Sequence, residues 1–228
     1  MSVKPRPLPR AFRPPGPNRP EQILAAASRA IQERGFANTR IADIAREAGM
    51  STGAIHYYFD VKDEVLIAAL KWASERLFDR LDELSHRANS ERARLAQVLE
   101  IAVPVPGPRR GEYILWIELW VRALQEPRLL PSCEALSERW RGYFHDAVRH
   151  GAESGEFSPV AAPGEVAERL IALVDGLGFE LLLGYSWTSP ERMRARVNTF
   201  VCEQLAISRR AFAREARAAA AAIEELGP

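Results

Sequence analysis

The feature that most constrains this chain is a pair of short helical patterns joined by a glycine within residues 39–62. Apolar residues of the first pattern recur at i, i+3, i+4 and i+7: Ile41, Ile44, Ala45 and Ala48. That spacing predicts one buried stripe on a helix. Gly49 stands where a left-handed residue would end this helix. We therefore expect a helix, a tight turn and a second helix.

The second helix of the pair is predicted to begin after Ser51, an N-cap candidate, as Thr39 is for the first helix. Ile55 and Phe59, four residues apart, can pack back onto the first helix. The remaining positions are small, polar or aromatic with a polar tip: Thr52, Gly53, Ala54, His56, Tyr57 and Tyr58. Such a helix suits insertion into a DNA major groove. An ordinary helical hairpin in an all-α core is the alternative.

These residues resemble the DNA-binding region of the TetR family of bacterial repressors, in detail over about residues 19–70. The matching features are the helical pattern at 21–34, Gly35-Phe36, Thr39, the frame from Ile41 to Gly49, Ser51-Thr52-Gly53, Tyr58-Phe59, Lys62 and Leu66. His56 departs from the pattern, because many members carry Tyr there. The resemblance implies an all-α homodimer that binds a palindromic operator, usually represses, and releases DNA when a small molecule binds.

The candidates for DNA contact fall into two groups. The predicted groove-facing residues are Ser51, Thr52, Gly53, Ala54, His56 and Tyr57. The resemblance implies phosphate contacts for Thr39, Tyr58 and Lys62, and Arg40 is a further DNA-binding candidate. The first twenty residues add five basic residues, no acidic residue and seven prolines. They predict an extended arm, which is either a solvated tail or a segment that follows the DNA backbone.

The predicted organisation is an arm at 1–19, a three-helix helix-turn-helix domain at 20–66 and a larger helical effector-binding and dimerisation domain at 67–228. Within the last, residues 164–184 are apolar almost all round, which predicts burial on more than one side. We expect residues 170–184 and 191–205 to form a homodimer interface. The alanine-rich helix at 208–226 is expected to be largely exposed. Glu118 and Arg122, at i and i+4, are expected to form a surface ion pair.

An effector site is predicted among the aromatic residues of the second domain. The candidates are Tyr113, Trp116, Trp120, Trp140, Tyr143, Phe144 and Phe179, with Asp175 as polar anchor. Aromatic walls would suit a flat apolar ligand or a cation held over ring faces. The alternative is that these rings only fill the core and that Asp175 caps a helix or pairs with an arginine.

Several functional classes are disfavoured. No run approaches the ~18 apolar residues of a membrane span, and the N-terminus lacks the apolar core of a secretory signal. Cys133 and Cys202 have no metal-ligand spacing, and reduced thiols in a cytoplasm are expected. The four histidines are scattered, and no nucleophile, acid–base or cofactor motif is found. We expect no enzyme activity, no metal and no cofactor; an all-α enzyme or a ligand-independent architectural DNA-binding protein are the alternatives.

Overall fold

The computed structural model describes residues 19–226, and the predicted basic arm therefore lies almost wholly outside the described residues. Within that range the chain is all-α, as predicted, with ten α-helices and no strand. The helices are α1 (Arg19–Arg34), α2 (Ile41–Glu47), α3 (Thr52–His56), α4 (Lys62–Arg87), α5 (Glu91–Ile101), α6 (Pro108–Gln125), α7 (Leu130–Glu153), α8 (Pro163–Leu183), α9 (Pro190–Gln204) and α10 (Arg209–Leu226). A 3₁₀ turn at Pro127–Leu129 precedes α7.

The turn between α2 and α3 forms as the sequence predicts. Gly49 has a φ of +64°, a value that a glycine adopts without a steric penalty. The Ser51 hydroxyl accepts a hydrogen bond from the amide of Ala54 at 3.2 Å and caps α3. Ile55 is fully buried. The helix-turn-helix is thus specified by local chemistry and by one apolar anchor.

One predicted N-cap is wrong. The residue before α2 is Arg40 rather than Thr39, and the residue before α4 is Val61, whose side chain forms no capping hydrogen bond. At both helix starts, a backbone amide donates a hydrogen bond to the carboxylate of an acidic residue a few positions later. Asp43 accepts from the amide of Arg40 at 3.1 Å, and Glu64 accepts from the amide of Asp60 at 3.0 Å.

The helix α4 connects the two parts of the chain. Its first turns pack against α1, where the Ser28 hydroxyl lies 3.2 Å from the carbonyl oxygen of Ala69. Farther along, Leu81 and Leu84 are buried in the second part. α6 also packs on both α1 and α4, and the side chain of Gln32 fills the space beside Gly111. Two helices therefore join the helix-turn-helix to the bundle.

The C-terminal helix α10 is more buried than its composition predicts. Phe212 is fully buried and Ala219 nearly so, because α10 packs along α5 and contacts α9. Alanines allow this close approach between helices. Among residues 19–226, no helix combines the length and apolarity that crossing a membrane requires.

Candidate DNA interface and effector cavity

The helix-turn-helix presents most of its predicted contact residues to solvent. Exposed residues are Arg40, Ser51, Thr52, Gly53, His56 and Tyr57, while Ala54, Tyr58 and Lys62 are half-buried. The Tyr57 and Tyr58 rings meet edge-on with centroids 5.0 Å apart. Ile55, on the opposite side of α3 from the exposed residues, is fully buried and anchors the helix to the core. The exposed edge of α3, Ser51 to Tyr57, is named the reading edge below.

Thr39 is a correction to the predicted set. Its side chain is fully buried, and its hydroxyl lies 2.8 Å from the carbonyl oxygen of Gly35 and 3.2 Å from that of Ala30. A hydroxyl turned into the end of α1 cannot also reach a DNA phosphate in this conformation. Thr39 therefore fixes the α1–α2 turn.

Lys62 is the first residue of α4, and its ammonium group is already oriented by its neighbours. It donates to the carbonyl oxygen of Ala37 at 3.1 Å and lies 6.0 Å from the centroid of the Phe36 ring. An ammonium group has three donors, so one bond to a carbonyl leaves two for other acceptors.

A cavity that is the candidate effector site, called the effector cavity below, opens among α4, α5, α6, α7 and α8. Its lining includes five of the eight predicted residues, Tyr113, Trp116, Trp120, Trp140 and Asp175. The unfilled volume is about 570 Å³ including the part open to solvent, and water centres fit within about 50 Å³ of it. One water needs roughly 10–15 Å³ by the second measure. The cavity thus has space for a few waters or a small ligand.

Three predicted effector residues are not in the cavity. Phe144 is fully buried in the core behind Trp140, with ring centroids 5.0 Å apart. Tyr143 stacks on Phe78 and donates to the Asp82 carboxylate. Phe179 is 44% exposed and does not line the cavity. Aromatic character alone did not separate core, cavity and surface positions.

Seven lining residues were missed: Leu77, Ile101, Ala102, Arg109, Glu112, Ile117 and Ser137. Arg109 and Glu112 precede Trp116 by seven and four residues, so helical spacing could have placed both on the face of the predicted tryptophans. Ser137 precedes Trp140 by three on α7 in the same way. Ile117, four residues after Tyr113 and three before Trp120, shares this spacing, whereas Leu77, Ile101 and Ala102 carry no comparable signal.

The charges of the cavity leave one carboxylate without a cationic partner. Arg109 pairs with Glu100 at 2.9 Å, and Glu112 pairs with Arg80. Asp175 makes no ion pair within residues 19–226. Burial raises the pKa of its carboxyl from 3.8 to about 6, and a hydrogen bond from Trp140 lowers it in part. Because Glu100 also pairs with Arg194 at 2.7 Å, the lining and its partners carry balanced charge, but Asp175 is the one lining carboxylate without a cationic partner in the described chain.

Tyr113 ties the cavity wall to α8. Its hydroxyl donates to the backbone carbonyl oxygen of Asp175 at 3.1 Å. A methyl group added at Gly178 would stand 2.4 Å from the Tyr113 oxygen, so glycine is required for this approach. Burial, and then the charge of Asp175, raises the pKa of the Tyr113 hydroxyl, which therefore stays protonated and able to donate.

The opposite face of α6 contacts the helix-turn-helix and corrects another prediction. Glu118 does not pair with Arg122; its carboxylate accepts from the backbone amide of Phe36 at 3.2 Å. Arg122 instead pairs with Asp63 at 3.3 Å and with Glu126, and its guanidinium lies 4.4 Å from the Phe36 ring centroid. The i, i+4 spacing would allow an ion pair between Glu118 and Arg122. Partners that are distant in sequence, Phe36 and Asp63, bind these two side chains instead.

Part of the predicted dimer surface is uncovered in the single chain. Phe179 and Leu183 on α8 are 44% and 51% exposed. A shallow groove along α8 and α9 is lined by Leu173, Ala195, Arg196, Thr199, Phe200 and Glu203. The other face of α8 is buried through Val166, Leu170, Val174 and Leu177. This helix thus has a covered and an uncovered apolar face.

Sequence comparison matches both parts of the chain to one family. Residues 23–69 match the model described as bacterial regulatory proteins, tetR family, and residues 91–206 match the model described as BetI-type transcriptional repressor, C-terminal. The chain is 29% identical to the HTH-type transcriptional regulator PksA of Bacillus subtilis, over 77% of this chain and 84% of PksA. It is 25% identical to the regulator BetI of Brucella canis, over 83% and 92%.

Structural comparison gives the same result. A transcriptional regulator from Saccharomonospora viridis, solved in complex with choline, is 33% identical to this chain with a TM-score of 0.76. The match covers 82% of this chain and 96% of that protein. Because these matches run through the helix-turn-helix and most of the bundle, they relate both halves together.

Proposed function

The chain belongs to the TetR family of bacterial transcriptional regulators, with a BetI-type C-terminal part, and we propose that it is an operator-binding repressor released by a compact organic cation. Residues 20–66 would read DNA, and residues 67–228 would bind the effector and dimerise. A regulator that acts on bacterial DNA in this way would work in the cytoplasm, without enzymatic activity.

The observation that carries the effector class is the aromatic cavity with Asp175 as its one carboxylate without a cationic partner in the described chain. Rings of Tyr113, Trp116 and Trp120 offer the negative faces that attract an ammonium group, by about 0.5–2 kcal/mol per contact. The neighbouring Glu112 pairs with Arg80, and Arg109 shares the Glu100 carboxylate with Arg194. A bound cation would therefore find one carboxylate without a cationic partner, that of Asp175.

The size of the cavity supports a small ligand of this class. Water centres fit within about 50 Å³, which is well below the roughly 300–1,000 Å³ typical of pockets for drug-sized ligands. A quaternary ammonium group with a short substituent suits such a space better than a long acyl chain. The choline complex of the relative from Saccharomonospora viridis makes choline the first compound to test.

DNA binding would use two copies of the chain. The uncovered face of α8 and α9 is the proposed two-fold interface, where the same patch meets itself. Two reading edges could then enter successive major grooves about 34–36 Å apart. The exposed Ser51, Thr52, Gly53, His56 and Tyr57 are the proposed base-reading set, with the half-buried Ala54 at its edge. Arg40, Tyr58 and Lys62 would bind phosphates.

One experiment tests the function as a whole. The operator is selected from random DNA with the full chain, and its affinity is then measured with and without choline chloride. We expect a palindromic site, and we expect choline to weaken its binding. Selection of no sequence would contradict DNA reading, whereas an operator that is insensitive to choline would contradict the effector class alone.

The dimer is tested separately by light scattering. The full chain should have the mass of a dimer at micromolar concentration, and Phe200→Glu should shift it toward a monomer, because a charge would enter the groove of α8 and α9. Glu203→Ala, at the rim of the same groove, is the matched control and should leave the dimer intact. A monomeric wild-type chain would overturn the interface.

A further inference from the structure

The starting observation is that α6 carries two sets of side chains on opposite faces. Trp116 and Trp120 line the cavity. Glu118 and Arg122 stand two residues after each tryptophan, which is about 200° of helical rotation, and both contact the helix-turn-helix. A rotation or shift of α6 that adapts the cavity to a ligand must therefore move the second set as well.

The second set converges on the turn between α1 and α2. The Glu118 carboxylate accepts from the amide of Phe36, and the Arg122 guanidinium covers the Phe36 ring. On the next residue, the carbonyl oxygen of Ala37 accepts from the ammonium group of Lys62. Phe36 and Ala37 thus form one short segment held by α6 on one side and holding Lys62 on the other.

Resting on the function proposed above, we propose that Glu118 is the positioning residue that couples the effector cavity to DNA binding. Its carboxylate fixes the Phe36–Ala37 segment relative to α6, and that segment fixes the ammonium group of Lys62. Because a carboxylate that accepts from a backbone amide forms a directional bond, a small shift of α6 displaces the segment. Lys62 then leaves the position that suits a phosphate.

Glu118 suits this role better than the neighbouring contacts do. Arg122 has alternative partners in Asp63, Gln125 and Glu126, so it can keep ion pairs when α6 moves. At Gly111 the neighbour from α1 is the end of the Gln32 side chain, which is flexible and can follow a shift of α6. The Glu118 bond is the one described contact in which a side chain of α6 binds the backbone of the α1–α2 turn.

The first test compares coupling with binding in the full chain. Glu118→Ala removes the acceptor, Glu118→Gln keeps an oxygen at the same reach, and Glu134→Ala removes an exposed carboxylate on α7 as matched control. The measurements are choline affinity, operator affinity, and the factor by which saturating choline weakens operator binding. Typical coupling factors are about 5–150-fold.

Glu118→Ala should keep choline affinity within about threefold, since choline does not touch Glu118, and should weaken operator binding without choline no more than Lys62→Ala does, because it only frees the segment that holds Lys62. It should lower the coupling factor by about tenfold. Glu118→Gln and Glu134→Ala should retain most of the coupling. A merely structural role would lower operator affinity in the absence of choline and would leave the coupling factor at its wild-type value. Full coupling in Glu118→Ala, or equal loss in Glu118→Gln, would overturn the proposal.

The second test needs neither ligand nor operator, so it separates this proposal from the proposed function. Hydrogen exchange of amides 36–39 is followed in the wild type, Trp120→Ala, Glu118→Ala and the double variant. Leu124→Ala, on the same helix and 83% exposed, is the control. We expect Trp120→Ala to change this exchange only when Glu118 is present. Strictly additive effects would overturn the coupling, even if choline or the operator proved incorrect.

Discussion

The reading edge and the effector cavity use charge in opposite ways. Beside the reading edge the proposed phosphate contact Lys62 lies near the surface, where two of its three donors remain for other acceptors and water screens its charge. In the cavity Asp175 is largely buried among tryptophans, and its pKa is raised to about 6. A surface charge adds affinity for any DNA sequence, whereas a desolvated charge selects one class of ligand.

Gly178→Ala is expected to give the largest effect, because it should abolish ligand binding in the cavity without disturbing the reading edge. The added methyl group would stand 2.4 Å from the Tyr113 hydroxyl oxygen, so the tyrosine must leave its bond to Asp175 and enter the cavity. Choline binding, measured by calorimetry, should become undetectable, while the reading edge stays folded. Gly142→Ala, where nothing lies within 4 Å of the new methyl group, is the control. Choline binding retained by Gly178→Ala would show that Tyr113 is not part of the site.

Asp175→Asn tests whether the charge of the carboxylate, rather than its shape, determines the affinity of the cavity for a cation. The substitution keeps the shape and removes the charge, so choline affinity should fall by about tenfold to a hundredfold. The uncharged isostere, with carbon in place of the ammonium nitrogen, should bind both proteins equally. Calorimetry with both compounds measures the difference. Equal losses for both compounds would indicate a packing defect and contradict the charge argument.

Choline affinity should also depend on pH through Asp175. With a pKa of about 6 in the free protein, the carboxyl is protonated below that pH and must release its proton to a bound cation. Affinity should therefore fall by about tenfold per unit below pH 6 and level off above it. Asp175→Asn should remove this slope. A flat wild-type profile between pH 5 and pH 7 would exclude the carboxylate as the anchor.

The same raised pKa predicts how the stability of the free protein depends on pH. The unfolded chain releases the proton of Asp175 near its ordinary pKa of 3.8, whereas the folded chain retains it to about pH 6. This contribution to stability is therefore complete below pH 3.8 and is lost as the pH rises through 6. Urea unfolding of the wild type and of Asp175→Asn should differ in slope across this window.

The smallest expected effect is that of Lys62→Ala on DNA binding. Loss of one phosphate contact should weaken all sequences alike and flatten the salt dependence by about one unit per half-site. Tyr57→Ala, on the reading edge, should instead change which bases are preferred. Affinity measurements at several salt concentrations and a repeated selection distinguish the two. An altered base preference in Lys62→Ala would contradict its assignment to phosphate.

The features predicted correctly from the sequence are those fixed by near neighbours. Gly49 and Ser51 act within one turn of chain, so their conformation and cap follow from residue type. Thr39 was misassigned because its burial depends on where α1 ends in space. Glu118 was misassigned because Phe36, its partner, is distant in sequence.

The sequence predicts which face of α6 borders the cavity, but it does not predict how deeply each aromatic ring is buried. Helical spacing places Trp116 and Trp120 on one face of α6, and the same spacing reaches Arg109 and Glu112. It does not tell how far a ring lies from the axis of the bundle, so Phe144 and Phe179 were placed with the others although one is in the core and one on the surface.

The helix α8 has a consequence for redesign of this protein as a biosensor. It supplies Asp175 to the cavity, packs Gly178 against the Tyr113 hydroxyl, and exposes Phe179 and Leu183 on the face proposed for dimerisation. Mutations that retarget ligand specificity through α8 would therefore risk changing assembly as well. Ser137 on α7 lines the cavity from another helix, so libraries for new inducers are better started there.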